Sequence, residues 1–315
     1  MASFSLKPLS LGLLFALAGI SANAAATTYI YRQTLPIVPT LRNGMTNYTF
    51  TKPGLYHIPV PAGGTEASVT VIGGAGGARF YQGGSGAEVT GVIPLSGIST
   101  LTVIVGGGGG GGNCTCGGGG GGGGLSAICS GSSCTASSAL IIAAGGGGGN
   151  GDTYEAGDTG FAAVSPDGNT TSQGGGAGGL GFGGNGLGEA GTGIPGVAFS
   201  AGGGLGTATA GCSDTPPSSL STSEGTGVGG YGGGGGGGIG MGGGGGGGGY
   251  PGGSGGNTGV SPHLGYEGGN GGASFWSSSV KSPGFHLADN QGASCSLSDA
   301  WGAPGGTGSV TLGIS

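Results

Sequence analysis

Short stretches of alternating apolar and polar residues recur along the first third of the chain, separated by turn signals. Ser68-Val69-Thr70-Val71-Ile72 and Leu101-Thr102-Val103-Ile104-Val105 are the clearest. A period of two puts successive side chains on opposite faces, so each stretch predicts a strand with one buried face. The same reading gives strands over 48–51, 55–60 and 88–94, with a closing strand over 309–314. Pro53-Gly54 and Ala62-Gly63-Gly64 mark turns between them. Residues 139–144 are nearly all apolar, which predicts a strand covered on both faces near the middle of a sheet.

Between these stretches the pattern gives way to glycine, which makes up 95 of the 315 residues, against about 7 % in an average protein. A helical fold is excluded, since each interior glycine costs about 1 kcal/mol relative to alanine. Collagen is excluded too, because the glycines come in solid runs and proline numbers only 15. The runs cover 106–112, 117–124, 145–149, 232–238 and 242–249. Two of them leave apolar strands directly, at Val105-Gly106 and Ala144-Gly145. Flexible linkers mix glycine with serine and join domains, whereas these runs recur within one chain and are punctuated by single apolar residues. The spacing predicts an ordered alternative, a bundle of extended polyglycine II helices with three residues per turn. Such a helix has no internal hydrogen bonds, so every N–H and C=O must pair with a neighbouring helix. The expected fold class is therefore all-β: an antiparallel β sandwich or shell carrying a polyglycine bundle, with essentially no α-helix in the mature chain.

Ordering a residue costs about 1–2 kcal/mol, with glycine at the upper end. A backbone hydrogen bond returns about 0.5–1.5 kcal/mol net. A glycine bundle alone is thus marginal, and the apolar strands and cysteines must supply the difference. Cys114, Cys116, Cys129, Cys134, Cys212 and Cys295 form an even set, which in an oxidising compartment reads as disulfides. Four of them cluster in 114–134, where local bridges would tie two glycine runs together. A zinc site from the same cluster has the wrong spacing for common zinc knuckles. The N-terminus agrees with export: residues 9–20 are an apolar stretch of signal-peptide length, and Ala22 and Ala24 supply small residues for cleavage after Ala24. The expected organisation is a signal peptide over 1–24, an extended arm over 25–45 broken by Pro36 and Pro39, and a glycine-rich domain over 46–315. No transmembrane segment is expected in the mature chain.

Charge narrows the partners. Lys and Arg total 6 against 12 Asp and Glu, a net charge of −6, so a basic nucleic-acid surface cannot be built. Charge-driven disorder is also excluded, since charge is scarce and mean hydropathy is +0.18.

The run from Tyr48-Thr49-Phe50-Thr51-Lys52-Pro53-Gly54 through Val60-Pro61-Ala62-Gly63 to Val69-Thr70-Val71-Ile72-Gly73-Gly74 resembles the opening of glycine-rich domains of the anaplastic lymphoma kinase/leukocyte tyrosine kinase extracellular type. It is similar also to polyglycine-helix adhesins of phage tail fibres. Leu101 to Gly107, Leu140 to Gly146 and Gly302 to Leu312 resemble that family's later elements in the same order. The resemblance covers about residues 46–315. It implies a β framework with packed polyglycine helices, binding to proteins or cell surfaces, and no catalysis. The chain departs from the receptor form in lacking a kinase, and from phage fibres in carrying a signal sequence.

Candidate chemistry does not point to an enzyme. Gly252-Gly253-Ser254-Gly255-Gly256 formally matches a nucleophile elbow, but such matches are expected by chance at this glycine content, and no strand–turn–helix context is predicted. His57, His263 and His286 are too separated to suggest a metal or base cluster, and nothing calls for a cofactor or a metal. Recognition is the better reading. Segments 257–270 and 275–301 are expected to be loops at the ends of the runs, where loops on a rigid scaffold carry binding. Tyr250, His263, Tyr266, Trp276 and Trp301 are the candidate contact residues, with bundle-capping as the alternative role for the two tryptophans. The expected function is a secreted, non-enzymatic structural or adhesive protein whose partner is a cell-surface protein or glycan, or copies of itself through the arm. An ice-binding or other surface-binding module is the alternative.

Overall fold

In the computed structural model, residues 39–42, 44–112, 119–135, 137–150, 162–163, 244–250, 252–253, 255, 268–290 and 302–315 are described. Among them the chain forms eleven strands and no helix. One sheet, sheet A, has the order β1-β2-β11-β4-β5-β10, and sheet B the order β3-β6-β7-β8-β9. In sheet A these are β1 (Thr40–Arg42), β2 (Met45–Phe50), β11 (Ser309–Ile314), β4 (Glu66–Ile72), β5 (Ala87–Pro94) and β10 (Lys281–Leu287). Sheet B contains β3 (Gly54–Pro59), β6 (Thr100–Val105), β7 (Ser126–Ser130), β8 (Ala139–Ala143) and β9 (Phe275–Trp276). All neighbours are antiparallel. The sheets face each other, with β11 over β6, β4 over β7 and β5 over β8, which makes an all-β sandwich.

The predicted alternation sets which side chains fill it. Val69 and Val71 of β4, Val89 of β5, Val310 and Leu312 of β11, and Leu101 and Val103 of β6 are all buried in one core with Tyr56 and Ile58 of β3. A second apolar cluster lies on the other face of sheet B, formed by Ile104, Leu125, Ala127, Cys129, Ile142 and Ala139. Two-sided burial explains why residues 139–143 are apolar throughout, although only the two-residue β9 lies beyond them in the sheet.

Two expectations need correcting. Segment 275–301 is not loop throughout, because its described part contains β9 and the seven-residue β10. The arm is not wholly separate from the domain either, since residues 40–42 pair with β2 as the edge strand of sheet A. β7 was not expected as a strand. Its sequence, Ser-Ala-Ile-Cys-Ser, is short and lies between a glycine run and a serine-rich turn.

The described glycine runs extend the sandwich at one end. Gly73 and Gly76 donate backbone hydrogen bonds to Ala87 and Gly84, Gly74 and Gly77 to Gly124 and Gly121, and Ala75 and Ala78 to Gly306 and Ala303, at 2.7–2.9 Å. Three consecutive residues thus address three different neighbouring segments, and the pattern repeats every three residues. The same segment accepts from Gly109 and Gly112 at Ala75 and Ala78, and from Gly146 and Gly149 at Gly74 and Gly77. Segment 73–78 is therefore bonded to five others. Packing this close requires glycine: a Cβ on Gly76 would stand within 3.0 Å of the Gly147 carbonyl and the Gly148 nitrogen.

Where strands pass into these runs, side-chain oxygens take the place of missing backbone acceptors. The Gly106 N–H donates to Ser126 Oγ at 2.9 Å, and the Ala144 N–H to Ser274 Oγ at 3.2 Å. Asn290 bridges two segments: its Oδ1 accepts from the Gly86 N–H at 3.2 Å, and its Nδ2 donates to the Gly73 carbonyl at 2.9 Å.

Candidate functional site

The late aromatics divide between packing and solvent. Tyr250 closes the run that precedes it, with its N–H donating to the Ala273 carbonyl at 2.8 Å. Its ring meets Phe275 edge-on, with centroids 5.6 Å apart, and both rings lean on the outer cluster of sheet B. Each is half-buried, so Tyr250 keeps part of its ring at the surface. Trp276 sits in β9, pairs with Ile141 and packs against the main core. It too is half-buried, serving the framework while leaving an edge accessible. The structure thus places Tyr250 and Trp276 at the same edge of sheet B but on its opposite faces, Tyr250 with Phe275 on the outer cluster and Trp276 on the main core. His263, Tyr266 and Trp301 lie outside the described residues, as do Cys114, Cys116, Cys212 and Cys295.

Cys129 and Cys134 form a disulfide with Cα atoms 5.3 Å apart. It closes the turn between β7 and β8 and is buried in the outer cluster. A network around Thr135 and Ser138 holds the same turn, with the Thr135 N–H donating to Ser138 Oγ at 2.8 Å. The bridge and the Tyr250 and Phe275 rings thus contribute to the same outer cluster of sheet B.

Two features escaped the sequence reading, the first because it depends on register between distant strands. Across the outer face of sheet A, Thr49, Thr311, Thr70 and Thr90 align in one row over four adjacent strands. Their chain neighbours Tyr48, Phe50, Val310, Leu312, Val69, Val71 and Val89 all point into the core. The second feature is Arg79, which is buried beyond the end of segment 73–78 with its guanidinium 4.2 Å from the centre of the Phe80 ring, a cation–π stack.

Titratable groups are sparse on these surfaces. Burial raises the Tyr56 phenol above its ordinary value, and its hydroxyl donates to the Lys52 carbonyl at 2.7 Å. His57 Nδ1 lies 3.2 Å from Thr102 Oγ1 on the outside of sheet B, and Thr102 Oγ1 in turn donates to the Gly131 carbonyl. Among the described residues, no three His, Cys, Asp or Glu side chains group so as to hold a metal. No helix of the described residues is long and apolar enough to cross a membrane.

Comparison with known proteins gives no matching family model and no matching curated protein.

Proposed function

We propose that this protein is a secreted, non-enzymatic structural or adhesive protein, a rigid scaffold that presents loops and edges for binding a cell-surface protein or glycan, or further copies of itself. The observation that carries the reading is the three-residue period of hydrogen bonding between glycine segments. That period is what polyglycine II helices packed side by side require, with each residue turned by about a third of a circle to the next neighbour. A segment held on several sides by backbone bonds is stiff without apolar side chains. Investing so much of a chain in stiffness suits a spacer, and the rim carrying Tyr250 and Trp276 suits contact with a partner. Resemblance to glycine-rich extracellular domains points the same way.

Hydrogen exchange on the secreted protein tests the scaffold. Amides of 73–78, 119–124 and 145–149 are expected to exchange as slowly as those of β4 and β5, and exchange at the rate of an unstructured chain would overturn the reading. Electron microscopy then separates filaments from isolated particles.

The threonine row favours a second reading. Thr49 and Thr311 are exposed, and Thr70 and Thr90 half-exposed. They repeat at the inter-strand spacing of about 4.7–4.9 Å, giving a line of hydroxyl and methyl groups of the kind a regular solid surface such as ice can match. Thermal hysteresis measures this directly, and its absence removes ice as the partner.

A further inference from the structure

The four edges of the two sheets are not equally protected. β1 has three residues and β9 has two, too short to template another strand. β10 carries Lys281, Pro283, a register shift between Lys281 and Gly284, and Ser282 at a positive φ of 47°; these are the devices that keep an edge from pairing. β3 has none of them before its terminal Pro59. It is six residues long, Gly-Leu-Tyr-His-Ile-Pro, without a formal charge.

Which groups of β3 face outward follows from register. The Val60 N–H bonds to the Ser99 carbonyl, continuing the pairing of Pro59 with Thr100. Backbone groups alternate direction along a strand, so residues 54, 56 and 58 face β6, and Leu55 and His57 face away. No described residue bonds to the Leu55 or His57 amides.

Sheet A also extends one strand further on this side. Phe50 of β2 meets Tyr56 of β3, with ring centroids 4.8 Å apart, so β2 lies over β3. β1 lies beyond β2, and sheet B has no described strand opposite it. Leu41 pairs with Thr46, which shares its face of β2 with Tyr48 and Phe50. Leu41 therefore points toward the missing strand, and it is 77% exposed.

We propose that the outer edge of β3, opposite β1, is the acceptor for residues 28–35 of a second copy of this chain, which complete sheet B as its sixth strand. This rests on the self-association part of the reading above and names its two contact surfaces. Residues 28–35 read Thr-Tyr-Ile-Tyr-Arg-Gln-Thr-Leu, with Tyr29, Tyr31 and Leu35 on one face of an extended strand, suited to covering Leu41. Direction favours a second copy over the chain's own arm. β1 runs opposite to β2, and the short link from Phe50 to Gly54 turns the chain back from β2 into β3, so residues leading into β1 would have to reverse to lie antiparallel to their own β3. That reversal would fall in residues 35–39, where the following prolines bias positions 35 and 38 toward extended backbone.

Two variants of the full chain test this. His57→Pro removes an outward N–H and the side-chain contact to Thr102 but leaves the backbone bonds to β6 intact, so it blocks acceptance but not donation. Tyr31→Pro breaks the donor strand and leaves the acceptor intact. Sedimentation velocity is expected to show wild type associating and each variant weakened at least about tenfold, while an equimolar mixture of the variants recovers a one-to-one complex. Hydrogen exchange at Leu55 and His57 is expected to slow at least about tenfold on association. If His57→Pro fails to fold, Tyr31→Pro with the exchange measurement decides alone. Association undiminished in Tyr31→Pro would overturn the β3 acceptor while leaving self-association standing. A monomeric wild type with Leu55 and His57 protected would overturn the second copy in favour of the chain's own arm. A monomeric, unprotected wild type would overturn both the acceptor and self-association.

Discussion

Replacing Gly76 with alanine probes the glycine packing where backbone crowds it closely. The new Cβ would fall within 3.0 Å of the Gly147 carbonyl and the Gly148 nitrogen. All of these are backbone atoms, so relief requires segments 73–78 and 145–149 to separate. They are joined by Gly146 N–H to the Gly74 carbonyl at 3.0 Å and Gly149 N–H to the Gly77 carbonyl at 2.9 Å. Breaking two such bonds while the groups stay buried costs about 1–3 kcal/mol each, or about 2–6 kcal/mol in total. Alanine's smaller unfolded-state freedom returns about 0.4–1 kcal/mol. The net loss is a large part of the about 5–15 kcal/mol that stabilises a typical domain. Gly54→Ala is the matched control: the atoms nearest its Cβ would be those of the Tyr56 side chain, at 3.3 and 3.4 Å, with no backbone atom closer, and it should change stability by less than about 1 kcal/mol. Chemical denaturation of both variants measures the difference. Equal stability would refute close backbone packing as the reason for glycine at position 76.

Asn290→Ala leaves the Gly86 N–H and the Gly73 carbonyl without their side-chain partner and is expected to cost about 1–3 kcal/mol by the same assay. Removing the Cys129–Cys134 bridge, whose cysteines are 5 residues apart, should cost about 2 kcal/mol, seen as a lower melting temperature for the Cys129→Ser/Cys134→Ser variant than for its parent, both without reductant. Burial raises the Tyr56 phenol above 10.0, so ionisation is harder in the folded state. Its contribution is complete below pH 10 and declines as pH rises through the folded value. Tyr56→Phe should flatten that alkaline decline in a stability–pH series while losing about 0.5–1.5 kcal/mol at neutral pH with the hydroxyl's hydrogen bond.

Strands with clean alternation were legible to within a residue or two. Residues 68–72 became β4 and 101–105 became β6 because one face of each meets the opposite sheet. β10 was not legible, since Pro283 and Gly284 argue against a strand and are tolerated only at an edge with a bulge. β1 had a signal that was passed over: Asn43-Gly44 separates Arg42 from its partner Met45, and Asn-Gly is a strong two-residue hairpin signal, with Gly44 at φ 76°. Of the proposed contact residues, Tyr250 and Trp276 emerged at one rim, but their half-buried packing could not be read from composition. The threonine row and the β3 edge, unpaired among the described residues, were invisible in principle, because each is a property of register between strands distant in sequence.

The bonding period also limits how such a chain can change in length. Losing one glycine from the middle of a run swings every later amide by about a third of a circle, away from its acceptor and toward a different neighbour. Losing three restores the alignment with a shorter run. Glycine count within each run is therefore quantised by the lattice, much as codons are read in threes, and length variants of this protein should survive mainly in steps of three residues.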